Sequence, residues 1–367
     1  MAIGTAHSTR PLPEALEELK KHGGISDPRA ILCFASTRYK LGKIGAGLQT
    51  AFPQACVVGC TTAGEMASAQ MMSGAVVTMF LDHTVIEDVA AVTVNPLGGQ
   101  VSVSDAFAQL EHHFGLPVSA MDVGKHVGLV LVDGLSGAEE RLMEKIGDRT
   151  DLLFVGGAAG DDLHFRRTEV MAKGKAYSDA AVLVLMQLQK GFEILKTQSF
   201  ETTGKELVAT AVEESSRRVL EFDDRPAAEV YAEALEVPVE QLSGYFMKHP
   251  LGLMIGGEPF VRSPQRVDGK HVVFYCNVKE GMELEVLNAT DIVADTREAL
   301  EGRQAALGNI SGLIDFHCVL RTQQLRHEQR CQEYGAIFSG IPSIGFSTYG
   351  EEFLGHINQT STMLLFR

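Results

Sequence analysis

Val58-Gly59-Cys60-Thr61-Thr62-Ala63-Gly64-Glu65 has a second copy at Ile344-Gly345-Phe346-Ser347-Thr348-Tyr349-Gly350-Glu351, alike at six of eight positions. Each copy runs from an apolar strand end through a glycine to a hydroxyl pair and then to Gly-Glu. A looser copy, Val155-Gly156-Gly157-Ala158-Ala159-Gly160-Asp161, lies between them. Glycine at such places allows close backbone approach or positive φ, and the hydroxyls and exposed amides that follow can hold a ligand. A single copy would read as a chain turning at a sheet edge. Two copies predict an α/β fold of two related lobes with mixed sheets, the motifs facing a shared cleft.

Working outward, Ile31–Ala35 and Ala55–Gly59 read as buried strands. Between them lies a helix with Leu41, Ile44, Leu48 and Phe52 on one face, a spacing that predicts a parallel βαβ unit. Residues 8–24 have the spacing of a helix that ends at Gly23-Gly24. Strand-like runs follow at Ala75–Leu81, Val85–Val94, His126–Val132, Leu152–Val155, Thr168–Met171 and Ala180–Gln187, with helical spacing at Val101–Phe114 and Ala138–Ile146. The first lobe is expected to end near residue 222, giving lobes 1–222 and 223–367. In the second, helical spacing covers Pro226–Leu235 and 290–307, the latter with Thr290 as its expected N-cap. Ser311–Leu320, Ile341–Phe346 and Ser361–Phe366 are expected strands.

The chain has 367 residues, enough for two cores, and 45% of them are hydrophobic. Its 32 basic and 47 acidic residues leave a net charge of −15. Such a surface repels phosphate backbones and anionic headgroups, so nucleic acid and membrane are not expected partners. The start of the chain lacks the pattern of a signal peptide, and no apolar run reaches the length of a membrane span. The six cysteines form no CxxC pair and sit mostly in apolar runs, as buried reduced thiols do. A cytoplasmic location is expected.

The residues VGCTTAGE (58–65), VGGAAGDDLHF (155–165), DFHCVLR (315–321) and IGFSTYGEEFLGHINQTS (344–361) make the chain resemble the FIST family. The N- and C-terminal domains of that family occur in bacterial signalling proteins and some eukaryotic F-box proteins. The resemblance implies a sensory module for a small ligand, acting on a histidine kinase or other signalling protein in trans, with a homodimer as one admissible assembly. The standalone, nitric-oxide-sensing haem proteins of the family (NosP type) give one form of this reading, with haem b as cofactor. A haem-free module for an amino acid or similar metabolite gives the other.

A haem sensor needs a proximal imidazole in an apolar pocket. His317, in the apolar run Ile314–Arg321, and His356, after the second Gly-Glu, are the candidate iron ligands, with His164 third. Cys318 and Cys60 are thiolate alternatives. For the metabolite reading, Arg321 is expected to close an apolar strand and clamp a carboxylate, or else to pair with Glu351 or Glu65. Thr61, Thr62, Glu65, Tyr349, Glu351, Asn358 and Thr360 complete the expected ligand set. GxSxG, GxxxxGK[ST], HExxH and a tight GxGxxG are missing from the sequence, so no enzymatic activity is expected. A hydrolase built on Asp161, Asp162 and Glu65 is the weakest of the three readings.

Overall fold

The computed structural model describes residues 2–367. They form two compact units: the first runs to Lys196 and adds Arg297–His356 and Ser361–Arg367, and the second is Thr197–Thr296 with Ile357–Thr360. The fold is α/β with several mixed sheets, as the sequence predicts. Compactness cuts the chain elsewhere than the chain-order division at 222/223, because strands near the C-terminus belong to the same unit as the first strands of the chain.

Three repeats of one pattern build the first unit. Repeat 1 is β1 (Ile3–Ser8), α1 (Leu12–His22), β2 (Ala30–Ala35), α2 (Leu41–Ala51), β3 (Cys56–Thr61), the hairpin β4 (Glu65–Ala67) and β5 (Gln70–Met72), and β6 (Val76–Leu81). Repeat 2 is β7 (Ile86–Val94), α3 (Ser104–Phe114), β8 (His126–Val132), α4 (Glu139–Gly147), β9 (Phe154–Ala158), the hairpin β10 (Val170–Ala172) and β11 (Lys175–Tyr177), and β12 (Ala181–Leu188). Repeat 3 opens with β13 (Phe192–Gln198) and is then interrupted by the second unit. That insertion holds β14 (Phe200–Glu213), β15 (Arg218–Phe222), β16 (Arg225–Pro226), α5 (Ala227–Ala234), β17 (Leu251–Ile255), β18 (Glu258–Arg262), β19 (Pro264–Asp268), β20 (His271–Phe274) and β21 (Glu283–Ala289). Repeat 3 resumes with α6 (Ile292–Leu307), β22 (Gly312–Cys318), α7 (Val319–His327), α8 (Cys331–Ala336), β23 (Ser343–Thr348), the hairpin β24 (Glu351–Phe353) and β25 (His356–Ile357), and β26 (Thr360–Phe366).

The three sheets of the first unit have the orders β1-β6-β2-β3-β10-β11, β7-β12-β8-β9-β24-β25 and β13-β26-β22-β23-β4-β5. Each therefore takes four strands from its own repeat and a hairpin from another. The central pair is parallel in every sheet: β2 with β3, β8 with β9, and β22 with β23. At Gly59, Gly156 and Gly345 a Cβ would lie 1.8, 1.8 and 2.4 Å from the carbonyl oxygens of Cys33, Val130 and Asp315 on the neighbouring strand. The repeated glycine is thus a backbone-clearance requirement, met three times.

Both faces of these sheets are buried, so their strands read as continuous apolar runs. The inner faces share one core, in which Phe34 packs against Phe346 with ring centroids 4.6 Å apart and Phe316 meets Phe346 at 5.8 Å. The outer face of sheet 1 packs on α1 and α2, and that of sheet 2 on α3 and α4. The second unit has the strand order β18-β17-β21-β14-β15-β20-β19, with β16 beside β15, over its own core of Leu207, Phe222, Tyr231, Leu251 and Phe274.

Several local expectations change. Residues Ile3–Ser8 are a strand, and the helix starts only at Leu12 after Pro11. Asp291, not Thr290, caps the 292–307 helix, its carboxylate accepting from Val293 and Ala294 N–H at 2.9 and 3.0 Å, while the Thr290 hydroxyl donates to Asp295. The strand expected over 311–320 ends at Cys318, and Arg321 lies in the first turn of α7. Among the described residues no helix is long and apolar enough to cross a membrane.

Gly156→Ala is expected to lower the unfolding free energy by about 1–3 kcal/mol, because the added methyl meets a backbone carbonyl that only a strand shift can move. Gly147→Ala, at the end of α4 with open space around it, should be neutral or stabilise by about 0.5–1 kcal/mol. Urea melts of the two variants test the difference.

Candidate functional site

The three motif copies meet at the strand ends of the first unit and hydrogen-bond one another in a closed circuit. Ala63 N–H donates to Ser347 O and Ser347 N–H to Gly64 O, at 3.0 and 2.7 Å. Gly160 and Asp162 N–H donate to Thr61 and Thr62 O, at 3.0 and 2.9 Å. Tyr349 N–H donates to Ala158 O and Ala158 N–H to Gly350 O, at 3.2 and 2.9 Å. The hydroxyls and carboxylates expected to hold a ligand largely serve this junction. The Thr62 hydroxyl donates to Glu65, whose other oxygen accepts from Ala75 N–H at 2.9 Å; burial raises the Glu65 carboxyl to about 7. Glu169 N–H donates to the Thr61 hydroxyl at 3.0 Å. Glu351 starts β24, paired with Gly157.

Asp161 holds its own loop. It accepts from the N–H groups of Phe165, Arg166 and Arg167 at 2.8, 2.6 and 2.9 Å, and from the Tyr349 hydroxyl. Burial alone would raise its carboxyl, but these donors hold it below the usual carboxylate range. Phe165 stacks on Tyr349 with ring centroids 4.9 Å apart. Asp162 accepts from the Ser36 hydroxyl at 3.0 Å, from Thr37 N–H at 2.8 Å and from the Thr37 hydroxyl. The three acids of the hydrolase reading are therefore occupied by donors of the fold itself.

Parallel pairing gives the three repeats a common numbering. Ala35 stands opposite Thr61, Val132 opposite Ala158 and His317 opposite Ser347. Two residues earlier on the same face are Cys33, Val130 and Asp315. In repeats 1 and 2 these positions are ordinary members of the cores beneath the helices. In repeat 3 they are a carboxylate and an imidazole, and the surrounding side chains are polar with them. The Ser361 hydroxyl donates to Asp315 at 2.7 Å, the Tyr334 hydroxyl donates to Asp315 at 3.3 Å, and the Thr322 and Ser347 hydroxyls bond at 2.7 Å. The Tyr334 ring lies against His317 with centroids 4.7 Å apart. Arg321, 2% exposed, contributes its positive charge from α7.

His317 is 0% exposed, and neither of its ring nitrogens has a hydrogen-bond partner; the nearest carboxylate oxygen, of Asp315, is 3.9 Å from Nδ1. Burial, and then the Arg321 charge, hold the imidazole well below its ordinary value, so it is neutral. Burial raises Asp315 to about 6 against the pull of Ser361, Arg321 and Tyr334. A buried polar group left without a partner costs about 1–3 kcal/mol, and His317 has two such atoms.

The other expected ligands lie elsewhere. His356 is buried with Nδ1 2.8 Å from Glu352. Burial raises the Glu352 carboxyl to about 7; for His356 burial favours the neutral ring, but Glu352 outweighs it and raises the imidazole to about 10. His164 is exposed, its Nδ1 2.8 Å from the Asp161 carbonyl. Burial pushes the Cys60 thiol well above its ordinary value, so it is not a thiolate, and Cys318 is a buried thiol outside any disulfide. Asn358 and Thr360 belong to the second unit. A porphyrin needs an apolar slot beside its ligand; His317 has no accessible surface and polar neighbours, and His356 is ion-paired, so neither set of surroundings fits the group. The sequence signal for the polar layer was Asp315 and His317 at alternate positions of an apolar strand.

Comparison with known proteins agrees with this architecture. Residues 29–225 match the model of the FIST N domain and residues 227–353 that of the FIST C domain. An uncharacterized protein of Methanocaldococcus jannaschii is 22% identical over 302 residues, 78% of this chain, and the chain spans 58% of that relative's length.

His317→Leu should raise the unfolding free energy by about 1–3 kcal/mol in urea melts, since it removes two unpartnered polar atoms and keeps the volume. The Glu352–His356 pair sets a pH dependence. Both groups bind protons more tightly folded than unfolded, so their contribution is complete below the unfolded values of 4.5 and 6.5 and is lost as pH rises through about 7 and then about 10. The stability difference between the native protein and His356→Gln should therefore shrink between about pH 8 and pH 10.

Proposed function

Because the chain belongs to the FIST family, whose domains are associated with signal transduction and small-ligand sensing, we propose that it senses a small polar metabolite at the Asp315–His317–Arg321 layer of repeat 3. The observation that carries the reading is the neutral, fully buried His317 with both ring nitrogens unpartnered, at a position where the other two repeats place aliphatic core. One nitrogen can donate and the other accept, Asp315 can accept, and Arg321 supplies a positive charge for a carboxylate or similar acceptor. The layer is closed in this conformation, so a ligand enters only when α7 and α8, which carry Arg321, Thr322 and Tyr334, move off the sheet. That requirement makes the site a two-state element, and a ligand that prefers the open state shifts the balance. The role is binding and signalling rather than turnover, with a signalling protein such as a histidine kinase as the reader of the shift.

Haem-based nitric oxide sensing is the competing reading, and the polar, closed surroundings of His317 favour the metabolite. Calorimetric titration with the free amino acids and small carboxylates tests the choice. A ligand should bind the native protein, lose at least about tenfold in affinity in His317→Ala and Arg321→Ala, and speed hydrogen exchange over residues 319–336. Binding that both variants retain would overturn the site. A Soret band in haem-reconstituted protein, shifted by nitric oxide and lost with either histidine, would replace the reading by the haem sensor.

A further inference from the structure

Repeat 1 has an opening at its strand ends. A cavity of about 530 Å³ lies beyond the carboxyl ends of the parallel strands β2 and β3, lined by Thr37, Lys40, Lys43, Thr61, Arg167 and Glu169 among others. In α/β sheets ligands lie in the crevice outside the carboxyl ends of parallel strands, and the volume is in the range of small-molecule sites. The same position is filled in repeat 2, where the Asp133 carboxylate accepts from Leu135 and Asp179 N–H at 3.1 and 2.6 Å and from the Thr168 hydroxyl.

The charges of this cavity are opposite to those of the protein. Three cations line it against one carboxylate, in a chain of net charge −15. Arg167 is paired with that carboxylate, Glu169, at 2.7 Å. Lys40 and Lys43 have no ion-pair partner among the described residues. The nearby Asp162 carboxylate binds Ser36 and Thr37 through Oδ2. Thr61, at the end of β3, and Thr37, just past β2, form the floor of the cavity, their hydroxyls engaged by Glu169 and Asp162. α2 begins in the wall of the cavity, adding the partial positive charge of its first turn. Two ammonium groups without an ion-pair partner beside a helix start in an open cleft are the chemistry of a phosphate-bearing ligand.

We propose that this cavity is an anion site for a small phosphorylated metabolite, separate from the His317 layer and held by Lys40, Lys43 and Arg167. Titration of the full chain with inorganic phosphate and with glucose 6-phosphate, using glucose as the uncharged control, tests it. Both phosphates should bind, glucose should not, and the affinity should weaken as salt is raised. Lys40→Ala/Lys43→Ala should lose at least about tenfold, with an unchanged thermal melt because both side chains are exposed, while His317→Ala should bind phosphate as the native protein does. Lack of binding of either phosphate at tens of millimolar would overturn the proposal, as would equal affinity in Lys40→Ala/Lys43→Ala. Loss in His317→Ala with retention in the lysine variant would transfer phosphate recognition to repeat 3 and equally overturn it.

Discussion

The backbone contact between the two parallel strands of each sheet governs the first unit. At Gly59, Gly156 and Gly345 the neighbouring carbonyl occupies the space a side chain would take, so the second strand of each pair can lie where it does only with glycine there. Each of those strands then presents an open edge, which unpaired would be a hazard. The following chain turns away at the hydroxyl pair and forms a short hairpin that covers the corresponding edge in another sheet. Because the exchange runs from repeat 1 to 3, from 3 to 2 and from 2 to 1, no repeat completes its own sheet, and the shared phenylalanine core closes only when all three are present.

That threefold pattern makes departures from it informative. Repeats 1 and 2 fill the layer between sheet and helices with aliphatic side chains, the ordinary solution for an α/β layer. Repeat 3 fills the same layer with Asp315, His317, Ser347 and Ser361 from the sheet and Arg321, Thr322 and Tyr334 from α7 and α8. A polar layer stabilises less than an apolar one, and this one includes an imidazole with no hydrogen-bond partner. Such a deficit at one repeat of three favours release of α7 and α8 over release of their counterparts.

The buried acids have a different explanation. Glu65, Asp161 and Asp162 lie close to one another in the motif circuit, but each is surrounded by donors from loops that would otherwise lack a fixed conformation. Asp161 in particular fixes residues 165–167, a segment following Asp162, Leu163 and Phe165 at positive φ. Each of these acids thus has a role in holding the fold.

The sequence by itself determined the α/β class, the parallel pair around Ile31–Gly59, the repeated motif and the singular character of His317, because each depends on local periodicity or on an identity read directly from the chain. It missed the hairpins at 65–72 and 351–357 and, at 170–177, all but a strand near 168–171; these strands are too short to show alternation and exist only through the partner strand they cover. It also ran the 311–320 strand two residues too far, since nothing in Cys318-Val319-Leu320-Arg321 distinguishes a strand end from a helix start until the sheet ends there. Tertiary structure alone decided that the motif repeats three times as a circuit, that Asp315 and Tyr334 flank His317, and that Arg321 stands on a helix. The physical reason is common to all of these: pairing between strands distant in sequence is set by edges and clearances that no single stretch of chain contains.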